Sequence, residues 1–421
     1  MLKLKNNGVI RNSNFLKLWA GQAISVFGDM ITFLAIPIIV YQMTGSKSAL
    51  SATVCFRVLP IILLGPFAGA LVDRWDRKKI MILSDVLRAM LTVPLLLVPK
   101  EYLAVTIYIV VALKSMIGIF FAPSLNSVIP NLVKKEELLQ VNSITGMTSN
   151  TLQFVTPLIG SALVAKFGAR PVLMIDFISF MVSALSIYLV TVPHKLEALE
   201  RTVNLKSLGS DIAQGFRFII KSPMLVIIMI TTVITQFGQG FIQPLWLPYV
   251  VEVLKEPKEK FMLLVSMQGL GSILGSIIIM LLGVRKAKSV KLSYIIFTLG
   301  VGIAIFMQIT TIKFNIFIMW GALVGVFFSG YMVATQTIMQ HTASDEFMGR
   351  VNSTFMMLNQ GFMLIAVSIS AVFADYLTTR VLFILACSFW LAGCILGAAL
   401  MLTARESGVP AKNDVNIEDM V

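Results

Sequence analysis

Three charged residues interrupt long apolar segments of this sequence, where a charge is costly to keep. Asp29, Arg57 and Lys114 each lie within a mostly apolar run long enough to cross a bilayer. Charged groups in such segments commonly serve ion or proton relays. A carboxylate that gains a proton in one conformation and releases it in another would carry protons, so we predict that these residues take part in proton coupling. The alternative is a structural ion pair between Asp29 and Arg57, since adjacent antiparallel helices would bring them to a similar depth.

Lys114 and Asp176 also have simpler interpretations. Lys114 would either face a substrate or extend along its helix toward the polar membrane surface. Asp176 lies near the outer end of its apolar segment, which predicts a structural role at an outer gate.

The second half of the chain carries polar residues without charge in its apolar segments. Several of them recur every three or four residues, which places them on one face of a helix. Such a stripe favours a wet cavity over lipid, although half of these residues would serve equally well as hydrogen-bond partners of neighbouring helices. The predicted substrate-cavity residues are Gln236, Gln239, Gln243, Trp246, Gln268, Asn352, Asn359 and Gln360.

The composition shows that the segments carrying these residues lie in a lipid bilayer and not in water. Of 421 residues, 57% are hydrophobic and 13% are charged, whereas a soluble domain has about 25% charged residues. The sequence therefore predicts an all-α membrane protein, because helices satisfy their own backbone in lipid. We count twelve transmembrane helices, at 15–41, 48–72, 80–99, 102–122, 138–165, 171–192, 224–251, 261–283, 290–310, 314–336, 350–374 and 379–403.

The net charge of +13 is distributed over short loops, which predicts no nucleic-acid partner. With a cytoplasmic N-terminus, inner segments hold 22 of the 34 Lys and Arg residues and outer loops hold nine. This bias predicts that both termini are cytoplasmic. The three Cys residues are scattered through apolar segments and predict neither disulfides nor a metal site.

An internal repeat divides the chain into two halves. Four short patterns recur at offsets of 206 to 210 residues. The recurring patterns are Phe27-Gly28-Asp29 with Phe237-Gly238-Gln239, Gly65 and Gly69 with Gly271 and Gly275, Phe120-Phe121 with Phe327-Phe328, and Val141-Asn142-Ser143 with Val351-Asn352-Ser353. The repeat predicts two pseudo-symmetric six-helix halves with a binding site between them. Since Gln239 cannot titrate, proton coupling is predicted to lie in the first half.

The predicted domain organisation follows from this repeat. The halves are 1–193 and 224–404. Between them lies a cytoplasmic linker at 194–223 with a short amphipathic helix, and a polar cytoplasmic tail follows at 405–421.

A charged connection follows the second apolar segment. Gly65 and Gly69 lie four residues apart, which predicts close approach of a neighbouring helix. Asp85 and Arg88 form a helix-spaced pair that we expect to brace the charged connection. The residues predicted to form a conformational gate are Gly65, Gly69, Asp73, Arg74, Arg77, Lys78, Asp85 and Arg88.

This connection resembles the loop between the second and third helices of the major facilitator superfamily. The residues from Gly69 to Lys78 fit the pattern G-x-x-x-[DG]-R-x-G-R-[RK], with Asp76 in place of the usual Gly. Lys114 and Gly118 are similar to the R-x-x-x-G pattern of proton-driven exporters, with Lys in place of Arg. Thr156-Pro157 with Gly160 resembles a degraded antiporter signature. Together with Gly349-Arg350-Val351-Asn352-Ser353, these residues resemble the drug:proton antiporter branch, closest to macrolide-efflux pumps and the enterobactin exporter.

The resemblance implies a major facilitator fold in a bacterial inner membrane, exporting an amphiphilic drug or secondary metabolite in exchange for protons. It implies a monomer in the lipid bilayer whose partners are a small amphiphilic substrate and protons, with no cofactor beyond the proton gradient. A lysolipid flippase or a small-molecule importer on the same fold is the alternative. A membrane enzyme is disfavoured, because His194 and His341 lie at the cytoplasmic edge and no nucleophile–base cluster or phosphate-binding loop is present in the sequence.

Overall fold

The computed structural model describes residues 9–72, 75–191, 205–282, 287–343 and 345–403, and these form an almost entirely helical chain. The first six α-helices are α1 Ser13–Thr44, α2 Lys47–Val72, α3 Arg77–Leu97, α4 Lys100–Leu132, α5 Leu138–Phe167 and α6 Ala169–Tyr188. The others are α7 Leu205–Lys221, α8 Pro223–Pro248, α9 Lys260–Leu282, α10 Ala287–Thr310, α11 Phe314–Thr342, α12 Asp345–Phe373 and α13 Thr379–Thr403.

The predicted all-α fold is confirmed. Within the described residues, eleven helices are long and apolar enough to cross a membrane. The twelfth predicted span corresponds to α5, which has the necessary 30 residues but carries more polar side chains. The remaining helix, α7, contains the linker segment expected to form a surface helix.

Local signals in the sequence explain where several helices begin and end. The Asn12 side chain accepts a hydrogen bond from the backbone N–H of Phe15 and caps the start of α1. Gly45 ends that helix with a left-handed φ of 61°, and Gly168 separates α5 from α6 with a φ of 83°. Asp76 caps α3 by accepting a hydrogen bond from the backbone N–H of Lys79. This capping contact is a structural role for the Asp that stands where the family pattern usually has Gly.

The described helices form two compact units. Unit 1 contains the described residues of 1–203 together with 246–266 and 371–375. Unit 2 contains those of 204–245, 267–370 and 376–421. In unit 1, α6 packs against α1 and α3, while α4 packs against α2 and α3. In unit 2, α10 packs against α11 and α13.

Two short segments from late in the sequence are tied into unit 1 by polar contacts. The hydroxyl of Tyr41 donates to Glu252 over 2.5 Å. The Asp375 carboxylate accepts from the hydroxyl of Ser46 at 2.5 Å and from the backbone N–H of Lys47 at 2.7 Å. Asp375 therefore caps the start of α2 although it lies more than 300 residues away along the chain.

Candidate functional site

A cluster of charged side chains lies inside unit 1, on α3, α4 and α6. Lys114 of α4 forms an ion pair with Oδ2 of Asp176 on α6. Thr92 of α3 donates to the same carboxylate oxygen over 2.7 Å, and its hydroxyl lies 3.0 Å from the Lys114 ammonium. Asp176 is 0% exposed and Lys114 is 9% exposed. The three groups therefore form a polar centre enclosed by protein.

A second ion pair lies within the same bundle. Arg88 contacts Oδ1 of Asp85 at 2.6 Å, and Asp85 is fully buried. The guanidinium of Arg88 lies over the rings of Phe121 and Phe180, at 4.7 Å and 4.5 Å from their centroids. Stacking on two rings provides a desolvated Arg with favourable cation–π contacts.

Phe180 connects the two ion pairs. Its ring lies 4.5 Å from the Arg88 guanidinium and 5.0 Å from the Lys114 ammonium. Both cations thus lie near one aromatic ring on α6, the helix that also carries Asp176.

Asp29 and Arg57 do not form the ion pair that their predicted depths allowed. The Arg57 guanidinium lies 4.1 Å from the centroid of the Phe33 ring. Among the described residues, no ion pair of 4.0 Å or less joins Asp29 to Arg57. Asp29 instead lies in electrostatic range of Arg57, Asp85 and Asp176, and its side chain is exposed at the surface of the chain.

Two glycines let α1, the helix that carries Asp29, pack closely against α6 beside the buried centre. A Cβ atom added at Gly21 would meet Ser186 of α6 at 2.7 Å. At Gly28, an added Cβ would overlap Ser179 and lie 3.1 Å from the Cα of Asp176. The helices α1 and α6 therefore cross in close contact beside Asp176, which is the arrangement that small residues permit in membranes.

The charges of this centre balance. Beyond the first and last two turns of α1 to α6 lie three carboxylates and three cations, so their charges sum to zero when all are ionised. The six residues are Asp29, Asp85, Asp176, Arg57, Arg88 and Lys114. Balanced pairing reduces the cost of placing charge in a low-dielectric region.

The structure adds contacts to the predictions for Lys114, Asp85 and Asp176, and it contradicts one of them. Lys114 does not extend toward a membrane surface, because it is enclosed and paired with Asp176. Asp176 is part of a buried ionic centre with Lys114, and its structural role at an outer gate stays a prediction. Arg88 stacks on Phe180 of α6, so the Asp85–Arg88 pair braces the helix bundle.

Thr92 was missed, and Asp176 was not connected to Lys114. The signal that points to Asp176 is its charge. It is the single carboxylate of α6, and the one cation of that helix, Arg170, lies in the first turn, so Asp176 requires a cation from another helix. Which cation it meets depends on helix packing, since 62 residues separate Asp176 from Lys114.

The contacts described for the other predicted gate residues do not involve the buried ion pairs. Nothing lies within 4 Å of a Cβ added at Gly65, so the expected close approach of a helix there is wrong. Lys78 donates to the backbone carbonyl of Tyr188 over 2.9 Å, and Arg77 begins α3. Asp73 and Arg74 lie outside the described residues.

Most of the predicted cavity residues belong to unit 2. Gln236 of α8 donates to the side-chain carbonyl of Asn359 on α12. Oε1 of Gln243 is buried without a hydrogen-bond partner among the described residues. Trp246 groups with unit 1. The half-buried members of unit 2 are Gln236, Gln239, Gln243, Gln268, Asn352, Asn359 and Gln360.

The site holds ionisable groups rather than an evident metal centre. Within the part of the chain that the structure describes, no group of three or more His, Cys, Asp or Glu side chains could hold a metal ion.

Comparison with known proteins supplies the family. The sequence model of the family described as Major Facilitator Superfamily matches residues 18–285 and 228–416. Macrolide efflux protein A of Streptococcus pyogenes is 25% identical over 366 residues, covering 86% of this chain and 89% of that protein. Multidrug efflux pump Tap of Mycolicibacterium fortuitum is 24% identical, covering 77% and 80%.

Solved structures agree on the fold. A bacterial homologue of the iron transporter ferroportin, in an inward-facing state, has a TM-score of 0.70 at 15% identity and covers 94% of this chain and 100% of that one. The nucleoside transporter NupG has a TM-score of 0.69 at 13% identity, with the same coverage of 94% and 100%. The resemblance to drug-efflux proteins is confirmed, and this multi-pass membrane transporter belongs to the Major Facilitator Superfamily.

Proposed function

We propose that this transporter exports an amphiphilic compound in exchange for protons. Its relatives include proteins named for macrolide efflux and multidrug efflux, at about a quarter sequence identity. That similarity favours export and leaves the substrate and the energy source to be argued from the site.

The observation that carries the proton coupling is the buried charge centre of unit 1. Lys114 and Asp176 are paired away from solvent, and Asp29 lies nearby with an exposed side chain. Ionisable groups at membrane depth are costly and typically mark proton or ion pathways. A centre that is neutral as a whole has to change its net charge when one carboxylate is protonated, which couples proton binding to conformation.

The polar groups of unit 2 favour an amphiphilic substrate. The apolar middle segments of α8 to α13 contain amides and hydroxyls but no Asp, Glu, Lys or Arg. An apolar surface with a few uncharged hydrogen-bonding groups suits a compound that is largely hydrophobic. The predicted cavity residues Gln239, Gln268 and Gln360 are the first positions at which to test substrate preference.

The proposed orientation of the chain follows from the loop charges. Both termini lie in the cytoplasm of a bacterium, and the chain acts in the cytoplasmic membrane as a monomer. The halves 1–193 and 224–404 alternate access to the substrate site, driven by proton uptake and release.

The test is substrate-evoked proton movement in everted membrane vesicles with an acidified interior. Erythromycin, ethidium, a catechol siderophore and lysophosphatidylcholine are added one at a time, and a pH-sensitive dye records proton release. We expect release with at least one compound, and no release in vesicles without the chain. A Thr232→Val variant serves as the matched control, because it alters a neutral contact of unit 2 and leaves the charge centre intact.

The pattern of responses separates the rival functions. Accumulation of a compound without proton release would exclude antiport and retain export. Movement of lysophosphatidylcholine between leaflets, with no response to the other compounds, would favour a lipid flippase. Net uptake into right-side-out vesicles would favour an importer.

A further inference from the structure

The buried carboxylate of Asp176 is satisfied on one side only. Its Oδ2 atom accepts from Thr92 and pairs with Lys114. Its Oδ1 atom is buried and has no hydrogen-bond partner among the described residues. Buried polar atoms are nearly always hydrogen-bonded, so an exception calls for an explanation.

A proton would neutralise the charge that Oδ1 shares with Oδ2. On an ionised carboxylate, an unpartnered buried oxygen carries part of a full charge without compensation. Protonation at Oδ1 would leave Oδ2 as an acceptor for Thr92 and would remove the negative charge that holds Lys114. Lys114 would then be drawn toward another carboxylate of the same unit.

The charged groups around Asp176 come from three neighbouring helices. Lys114 faces it from α4, Asp29 from α1, and the Asp85–Arg88 pair lies on α3. On α5, which also packs near α6, the only charged residue is Lys166 in the last turn. The surroundings therefore contain two other carboxylates that compete for Lys114 when Asp176 becomes neutral.

We propose that Asp176 is the carboxylate that binds the transported proton, with Lys114 exchanging its partner when the proton binds. This proposal rests on the proton-coupled transport argued above. Asp29, which the sequence favours for this role, is exposed at the surface of the chain, whereas Asp176 is enclosed. An enclosed site holds a proton until a conformational change opens it, and an exposed carboxylate exchanges protons continuously. Asp29 would then serve as the access point through which protons reach Asp176.

Infrared difference spectroscopy on the purified full chain tests the proton site directly, without a substrate. Spectra are compared between about pH 5 and about pH 9, and the carbonyl band of a protonated carboxylic acid is recorded. We expect the band in the wild type and in Asp29→Asn, and its loss in Asp176→Asn. Asp176→Glu should restore a band at a shifted frequency, because it keeps a carboxyl group in the same centre.

Additional variants guard against a misfolded sample. Asp176→Asn leaves Lys114 buried without its partner, so the double variant Lys114→Met/Asp176→Asn, which removes both charges, is measured beside it. The band should be absent from this double variant as well. Asp375→Asn is the matched carboxylate control, because Asp375 lies outside the buried centre, and it should retain the band.

The outcomes decide between the proton site and the wider function. A band that persists without Asp176, or disappears only in Asp29→Asn or Asp85→Asn, overturns the assignment, as does a wild type with no such band. In everted vesicles, substrate-evoked proton release by the double variant should be at least about tenfold slower than release by the wild type. Failure of the wild type to release protons with any compound would instead overturn antiport itself, whichever residue gives the infrared band.

Discussion

The two units solve the problem of buried polarity in different ways. Unit 1 encloses the ion pairs Lys114–Asp176 and Asp85–Arg88. Among the described residues of unit 2, buried contacts join neutral groups such as the hydroxyls of Thr232 and Tyr331, which lie 2.9 Å apart. Neutral pairs avoid the desolvation cost of ions, which suggests that the charges of unit 1 are retained for a purpose other than stability.

The internal repeat makes this comparison position by position. An added Cβ at Gly28 would lie 3.1 Å from the Cα of Asp176, and one at its repeat partner Gly238 would lie 2.7 Å from the carbonyl oxygen of Ala386. The offset of 210 residues that relates the two glycines also relates Asp176 to Ala386. The same close helix crossing is therefore present in both units, and only unit 1 places a carboxylate beside it.

At another pair of glycines related by the repeat, the close helix contact is in unit 2 and is absent from unit 1. Space around Gly65 is open, whereas a Cβ at its repeat partner Gly271 would overlap the backbone of Ala322 on α11. Gly275 is similarly closed against Val326 of α11. The Gly-x-x-x-Gly pattern thus holds two helices together in unit 2, and at Gly65 it does not.

Breaking the Lys114–Asp176 pair should have the largest effect. Lys114→Met leaves an unpaired buried carboxylate, and removing one partner of a buried pair typically costs about 3–5 kcal/mol. We expect a marked fall in the thermal unfolding temperature of the purified chain in detergent. Lys114→Met/Asp176→Asn should recover much of that loss, since no unpaired charge remains. Equal unfolding temperatures for the single and double variants would mean that the pair is not electrostatically coupled.

Adding a buried charge to unit 2, at the position that corresponds to Asp176, tests the same contrast from the other side. Ala386→Asp places a carboxylate beside Gly238, where the repeat partner of Lys114 is Gly321. Ala386 is 0% exposed, and without a cation the new charge should destabilise the chain by several kcal/mol. The same thermal unfolding measurement applies, with Ala386→Ser as the control of similar volume. A stable Ala386→Asp chain would show that unit 2 tolerates buried charge and would remove the contrast.

The glycine contrast predicts opposite signs for one substitution. Gly271→Ala should destabilise by about 1–3 kcal/mol, because the added methyl group meets the backbone of α11. Gly65→Ala should be neutral or stabilising by up to about 1 kcal/mol, because Ala favours helix more than Gly does. Both are read from thermal unfolding under identical conditions, and two variants that shift in the same direction would contradict the difference in packing.

The neutral contacts of unit 2 should be weaker and insensitive to pH. Thr232→Val removes the hydroxyl that bonds Tyr331, which should cost about 1 kcal/mol. Because neither group is ionised at neutral pH, the loss should be constant between about pH 5 and about pH 8. Tyr331→Phe and the double variant complete a cycle that isolates the pair, and a loss that varies with pH would reveal an ionised neighbour.

The sequence predicted the helices well because bilayer length and apolar composition are local properties. It also found Lys114 and Asp29 as unusual charges. It did not pair Lys114 with Asp176, because the contact depends on how α4, α3 and α6 pack, and no periodicity encodes that. It gave Gly65 a packing role by spacing alone, although a small residue only permits close approach, and a partner helix has to be present.

The weakest expected effect concerns Asp375, which belongs to unit 1 although it follows α12 in the sequence. Its carboxylate accepts from Ser46 and from the backbone of Lys47, and so caps α2. Losing a capping side chain usually costs about 0.5–2 kcal/mol, and the exposure of Asp375 favours the lower end of that range. Asp375→Ala should therefore lower the unfolding temperature slightly, and Asp375→Asn should lower it less, because the amide oxygen still accepts. Both variants should keep the infrared carboxyl band, since they leave Asp176 intact. A loss from Asp375→Ala as large as that from Lys114→Met would place the important charge of unit 1 at the start of α2 and away from the buried centre.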